Sequence, residues 1–316
     1  MTDLQVSGAV AVREVGPEAA EDVVAVVHAG FGAREPLDPP STATDETTES
    51  VTPVLAAHGG LLAVDETGPV GALLFEPAGA LLCLRRVAVH PQAQGMGVAG
   101  ALVGTAERVA AARGYDGLRL AARAELPSTI RFWQHLGYAE LDRDGTRLSM
   151  AKALPVDVPA VDAEATRLAG ERLAAVLRAG DLVILTGDLG AGKTTLTQGI
   201  GQGLGVRGDV TSPTFVISRV HPSLTDGPAL VHVDAYRLGG FDELDDLDLD
   251  ASVDESVTVV EWGEGVAEGL AVTRLEVTIT RARGDDTSDE RHLRFTPVGA
   301  RWVGSGLRGR LTGALA

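Results

Sequence analysis

The chain has 316 residues, a formal net charge of −17, and a hydrophobic fraction of 45% with only 4% aromatic residues. That length suits two domains, and that hydrophobic fraction suits packed cores rather than disorder, filled mainly by Ala, Gly, Val and Leu. Both halves are acidic, with 12 basic against 19 acidic residues in 1–154 and 15 against 25 in 155–316, which excludes the global basic footprint of a nucleic-acid binder.

Cys83 is the single cysteine, so no intramolecular disulfide is possible and a cytoplasmic location is expected. The opening MTDLQVSGAVAVREV is acidic at its start and has no long apolar run, so no signal peptide is expected. No uncharged apolar stretch is long enough to cross a membrane, and no membrane partner is expected.

In chain order, AVAVREV reads as a strand, and EAAEDVVAVVHAGF carries apolar residues at helical spacing. Residues 36–50, PLDPPSTATDETTES, read as a mobile loop. GLLAVDE and VGALLFEP read as a hairpin, and LLCLRRVAVH as a third strand running to a glycine-rich turn and the helix GALVGTAERVAAARG. GLRLAAR and the short helix STIRFWQHLG follow. AKALPVDVPAVDA has two prolines and no sustained period, so a linker is expected over 153–163, between domains at 1–152 and 164–316. Beyond it, ATRLAGERLAAVLRAG reads as a helix and DLVILTG as a buried strand, while ALVHVDAYRL, SVTVVEW, RLEVTIT and RHLRFTP are further strands. Alternating strands and helices make both halves α/β.

Two turns in this pattern are anion cradles. Gln94-Gly95-Met96-Gly97-Val98-Ala99 lies between a strand and a helix, where backbone N–H groups can face a pyrophosphate; alone this is a weak signal. Gly187-Asp188-Leu189-Gly190-Ala191-Gly192-Lys193-Thr194 fits G-x-x-x-x-G-K-[ST] with a strand before it and a helix after, and Thr195 follows. Glycines let the backbone wrap a phosphate, Lys193 reaches the β- and γ-phosphates as a point charge, and Thr194 places a hydroxyl on Mg²⁺. Lysine occurs only here and at Lys152, so the expected ligand is a nucleoside triphosphate. A P-loop also needs carboxylates at strand ends, and Asp234 and Glu261 end apolar strands; the alternative for each is a capping or solvated acid.

GDLGAGKTT, TSPTF (211–215), HVDAYRL (232–238) and VVEW (259–262) together resemble the TsaE-type ATPases of tRNA threonylcarbamoyladenosine synthesis, over about residues 157–316. The resemblance implies a P-loop NTPase domain with ATP held by Thr166 and residues 187–195. It implies Lys193, Asp234 and Glu261 as catalytic residues, and Thr194, Asp234 and Glu261 around Mg²⁺. Thr211, Ser212 and Thr214 would form a switch-like segment, with Trp262 beside the two acids. The implied partners are the proteins of a tRNA threonylcarbamoyltransferase complex, with tRNA reached only indirectly. Gly263 stands where the family usually has proline, and residues 241–256 are unusually acidic; both put the partner-facing surface in question.

The Gln94–Ala99 turn together with FWQHLGY (132–138) resembles the GNAT acetyltransferases over about residues 8–150, a mixed sheet with helices. The resemblance implies acetyl-CoA along Val87 and Val89, with Gln94, Gly95, Gly97 and Ala99 at the pyrophosphate and Ser128 where an asparagine often contacts the cofactor. Trp133 stands where many members have a tyrosine, and LLCLRRVAV carries no glutamate to act as base. Tyr138 reads as a packed residue rather than the acid. The whole chain is expected to be a partner-activated ATP hydrolase fused to an N-acetyltransferase. Two alternatives stay open, a small-molecule kinase and a nucleotide-dependent binding module with a non-catalytic GNAT scaffold.

Overall fold

The structure is a computed structural model that describes residues 4–6, 10–35, 37–213, 217–236, 254–281 and 289–313. Thr214, Arg237 and most of the acidic 241–256 segment lie outside the described residues. The chain divides into two compact units, at Leu154 and Pro155.

The first unit is an eight-stranded sheet. Its elements are β1 (Leu4–Val6), β2 (Val10–Val15), α1 (Ala20–Gly32), α2 (Thr48–His58), β3 (Gly60–Asp65), β4 (Gly68–Ala78), β5 (Leu81–Val89), α3 (Val98–Ala112), β6 (Gly117–Arg123), α4 (Pro127–His135), β7 (Ala139–Asp144) and β8 (Arg147–Ala153). The strand order is β1-β2-β3-β4-β5-β6-β8-β7. Alternation along the strands divides the apolar residues between two cores. Leu61, Ala63, Leu73 and Phe75 pack with Leu102 and Val103 of α3, while Leu62, Ala72 and Leu74 pack with Val23 and Val27 of α1 and Leu55 of α2.

The loop expected over 36–50 ends early: residues 37–47 hold only a short 3-10 turn at Thr42–Asp45, and helix α2 begins at Thr48. Thr47 and Ser50 form a reciprocal capping box, Thr47 Oγ1 accepting from Ser50 N at 3.2 Å and Ser50 Oγ accepting from Thr47 N at 3.0 Å. Only the last three residues of the polar run, 48–50, belong to the helix, and Pro53 inside the helix hid the helical pattern.

Strands β5 and β6 run parallel and pair only over Leu81–Leu84 and Gly117–Leu120. Beyond that point β5 pairs with β4 alone and β6 with β8 alone, so the sheet splays open along Arg85–Val89. The β4–β5 register shifts there, and Arg86 takes φ 53°, a left-handed conformation unfavourable for a side chain of its size. Its guanidinium is held by Glu46 Oε1 at 2.8 Å.

The second unit is a seven-stranded sheet. It comprises β9 (Val156–Ala160), α5 (Ala163–Ala174), β10 (Leu182–Thr186), α6 (Lys193–Leu204), β11 (Ser218–His221), β12 (Ala229–Asp234), β13 (Ser256–Glu261), β14 (Arg274–Arg281), β15 (Arg291–Val298) and α7 (Leu307–Thr312). Its order is β11-β12-β13-β10-β14-β15-β9. β12, β13, β10 and β14 are parallel, so their carboxyl ends share one edge. β10, β12 and β13 are buried almost throughout, as strands covered on both faces require, whereas β14 alternates buried Leu275, Val277 and Ile279 with less buried polar residues.

β9 corrects the expected linker over 153–163. Val156–Ala160 pairs antiparallel with β15, burying Val156 and Ala160. The prolines misled because β9 is an edge strand, where one side makes no ladder bonds and Pro159 is tolerated.

Candidate functional site

The loop from β10 to α6 leaves the middle of the second sheet at the carboxyl edge of its parallel strands, where open α/β sheets bind ligands. Glycine is obligatory at its first position. Gly187 has φ 153°, and a Cβ there would lie 2.4 Å from the Ile279 carbonyl oxygen. Helix α6 begins at Lys193, directing its unpaired N–H groups and positive end at the loop's concavity.

Four predicted residues meet under this loop. Asp234 and Glu261 are register partners at the last positions of β12 and β13, and both are buried. Thr194 Oγ1 lies 2.9 Å and 3.2 Å from the two oxygens of Glu261, donating its single proton to that carboxylate. Lys193 Nζ donates to the Gly187 and Asp188 carbonyls at 2.7 Å and 3.1 Å. Burial lowers the Lys193 pKa, opposed by the negative charges of Glu261, Asp234 and Asp188. The hydroxyl and the two carboxylates are hard oxygen donors, a set that fits Mg²⁺, which takes few protein ligands beside phosphate and water.

Trp262 closes the other side. Its backbone N–H donates to the Leu185 carbonyl at 2.9 Å and holds the residue at φ 62°, unfavourable for a bulky side chain. Its ring centroid is 3.6 Å from Lys193 Nζ, and Tyr236 packs against it at 5.0 Å. Ser212 Oγ lies 3.1 Å from Asp234 Oδ2, and Arg219 donates to Thr211 Oγ1 at 2.9 Å, so the switch-like segment reaches the acids and carries a cation. Thr166 is buried, and its methyl group lies 3.7 Å from where a Gly192 Cβ would stand. Leu189, at the loop's tip, is 83% exposed. Gly190, Ala191 and Thr195 lie on the same loop and the first turn of α6.

Two residues at this site were given no role by the sequence reading. Arg291, at the start of β15, donates from Nε to the Ala191 carbonyl at 3.0 Å, so an arginine of this chain braces the loop. His232 lies two residues before Asp234 on β12, and its Nε2 is 2.8 Å from Glu261 Oε1. Its signals in the sequence were its place at the head of the HVDAYRL motif and its polarity inside the apolar run LVHV.

In the first unit, Val87 and Val89 lie on the part of β5 that no longer pairs with β6. Gln94, Gly95 and Gly97 form the turn into α3. Gly97 is its left-handed N-cap at φ 82°, and no heavy atom lies within 4 Å of where its Cβ would be. Ala99 is in the first turn of α3, whose N–H groups face outward from the helix end. The splay and the open turn fit the pantetheine arm and the pyrophosphate of acetyl-CoA. Tyr138 is buried against Trp133 at 5.1 Å, and burial, then the charge of Glu107, drives its phenol pKa far above the ordinary value. Neither Tyr138 nor Trp133 is placed to deliver a proton.

The family model described as "Threonylcarbamoyl adenosine biosynthesis protein TsaE" matches residues 160–292, and that of the acetyltransferase (GNAT) family matches residues 33–138. The tRNA threonylcarbamoyladenosine biosynthesis protein TsaE of Streptomyces coelicolor is 67% identical over 135 residues, 42% of this chain and 91% of that protein. Its counterpart in Bacillus subtilis is 43% identical over 144 residues, 45% of this chain and 85% of that protein. The solved structure of YdiB from Bacillus subtilis is 36% identical, covering 51% of this chain and 95% of that one, with a TM-score of 0.40. Among the described residues no helix is long and apolar enough to cross a membrane.

Proposed function

The chain belongs to the TsaE family of tRNA threonylcarbamoyladenosine biosynthesis proteins, and from that premise we propose that residues 155–316 bind ATP with Mg²⁺ and hydrolyse it in support of a partner transferase. The observation that carries this reading is the convergence of Lys193, Thr194, Asp234 and Glu261 beneath one P-loop.

The backbone N–H groups of residues 190–194 and the α6 N-terminus bind the β-phosphate. Lys193 leaves its two carbonyls and the Trp262 ring to reach the γ-phosphate. Bound Mg²⁺, held by Thr194 with Glu261 or Asp234, would neutralise charge on the phosphate oxygens. Glu261 is the base that orients and deprotonates the attacking water, and Asp234 fixes Ser212 and the switch-like segment. Thr166 lines the nucleotide side of the loop. By family resemblance, hydrolysis serves turnover of the threonylcarbamoyl transfer complex, which holds the tRNA.

The purified chain is expected to turn ATP over slowly and to speed up when the transferase proteins are added. Among the described residues Arg219 is committed to Thr211 and Arg291 to the P-loop carbonyl, which supports a γ-phosphate site completed by a group from the partner. An arginine supplied in trans raises P-loop hydrolysis by about 10³–10⁵-fold. Steady-state phosphate release with and without the partners measures this; fast turnover alone, unchanged by partners, would reject partner gating.

The first unit is proposed to bind acetyl-CoA in the β5–β6 splay and at the Gly95–Gly97 turn, and to transfer its acetyl group to an amine. Gly97→Glu is expected to abolish acetyl-CoA binding, because its carboxylate would enter the open pyrophosphate space. Gly97→Ala separates charge from backbone strain. It should cost about 1 kcal/mol of stability for the left-handed conformation while keeping binding. Calorimetric titration of the full chain with acetyl-CoA, beside thermal melts, distinguishes the two variants. Equal binding by Gly97→Glu and the unchanged protein would remove the turn from the site.

A further inference from the structure

We propose that His232 is a positioning residue for ATP hydrolysis, holding Glu261 by a buried hydrogen bond so that the carboxylate faces the reacting phosphate rather than collapsing onto Lys193. This inference rests on the reading of Glu261 as the base.

His232 is fully buried on β12, 0% exposed, with Nε2 2.8 Å from Glu261 Oε1. Nδ1 is also buried and has no hydrogen-bond partner among the described residues. That asymmetry assigns the proton. Placed on Nδ1, it would bury an unsatisfied donor and turn the Nε2 lone pair onto a carboxylate. Placed on Nε2, it donates to Glu261 and leaves only an acceptor unpaired, the smaller cost. Nε2–H is therefore the donor to Glu261, with one direction available to it.

Glu261 has few other restraints. Thr194 shares one hydroxyl proton between its two oxygens, and that hydroxyl is the group a phosphate-bound metal would engage. Lys193 is close enough to attract Glu261 electrostatically, and both side chains are buried, where such attraction is strong. With Thr194 occupied elsewhere, the imidazole is the contact that still fixes Oε1. β-sheet register builds this. His232 is two residues before Asp234, on the same face of β12, and Asp234 is paired with Glu261, so the ring reaches Glu261 diagonally across the strands.

His232→Leu keeps an apolar, bulky side chain and removes the donor. It is expected to lower kcat by about 10- to 100-fold, the range typical of lost outer-shell contacts, with the affinity for a non-hydrolysable ATP analogue nearly unchanged. His232→Gln places an N–H at the reach of Nε2 and should restore most of kcat, whereas the shorter His232→Asn should not. Long-range ¹H–¹⁵N spectra of the full chain supply a readout without turnover, the expected signature being a proton on Nε2 whose resonance moves in Glu261→Gln. Equal kcat in His232→Leu and the unchanged protein, no difference between the Gln and Leu variants, or a proton on Nδ1 would each overturn the assignment. Failure of the unchanged chain to hydrolyse ATP with its partners would instead strike the ATPase reading, while the spectra still decide whether the His232–Glu261 bond exists.

Discussion

Lys193→Ala is expected to weaken binding of a non-hydrolysable ATP analogue by about 100-fold or more, close to 3 kcal/mol, while the domain stays folded. The effect has two parts. The γ-phosphate loses the only lysine of the second unit, since the other lysine of the chain, Lys152, belongs to the first unit and pairs with Glu107. The loop also loses its internal tie, because the ammonium bonds the Gly187 and Asp188 carbonyls and lies against Trp262. The fold should survive. Lys193 begins α6, and the helix is anchored by Leu196, Ile200 and Leu204, which are buried independently of the charge. Removing a buried cation leaves Glu261 and Asp234 without their counter-charge, so a modest loss of melting temperature should accompany the binding defect. Calorimetry with the analogue and a thermal melt check both parts. Binding at the unchanged affinity in a folded variant would sink the assignment of this loop to ATP.

What the sequence disclosed divides along a physical line. The P-loop is one continuous segment whose glycines, lysine and threonine act locally, so spacing alone placed it between a strand and a helix. Asp234 and Glu261 were legible because each ends an apolar run, and a strand end is a local property. The contacts that complete the site are not local. His232 meets Glu261 only because β12 and β13 pair in one particular register, and Arg291 reaches Ala191 across 100 positions of chain. Trp262 was readable as a neighbour of the acids. Its ring lies over Lys193 because of a left-handed backbone turn that no apolar pattern encodes. In the first unit, the β5–β6 strands were visible but their splay was not, since it arises where pairing stops.

The errors have the same origin. α2 was masked by Pro53 and by threonines and serines that also build loops, although Thr47 and Ser50 were capping residues in plain view. β9 was read as linker because prolines break interior strands, and nothing in the sequence says that a strand lies at an edge. Val156, Val158 and Ala160 alternate with Asp157 and Pro159, and that short two-residue period was the faint strand signal.

Glu261→Gln is expected to keep ATP binding within a few-fold of the unchanged protein and to reduce partner-stimulated hydrolysis by about 100-fold or more, the scale of a lost general base. The amide matches the carboxylate in size, so β13 and its pairing with β12 and β10 need not shift. It still accepts from Thr194 and His232 through its one oxygen, but its NH₂ group is a donor. With that oxygen at the Oε1 position it can keep both contacts, at 2.9 Å and 2.8 Å, while the NH₂ group takes the Oε2 position beside the threonine oxygen. The amide cannot take a proton from water and is a poorer Mg²⁺ ligand. Asp234→Asn provides the contrast. Asp234 is bonded to Ser212 and accepts from the Tyr236 backbone N–H at 3.0 Å, so its replacement should loosen the switch-like segment and weaken nucleotide affinity together with turnover. Analogue affinity and single-turnover hydrolysis with the partners, measured on both variants, separate the roles. Unchanged single-turnover hydrolysis in Glu261→Gln with a large loss in Asp234→Asn would exchange them, making Asp234 the base and Glu261 a structural acid held between a histidine and a threonine.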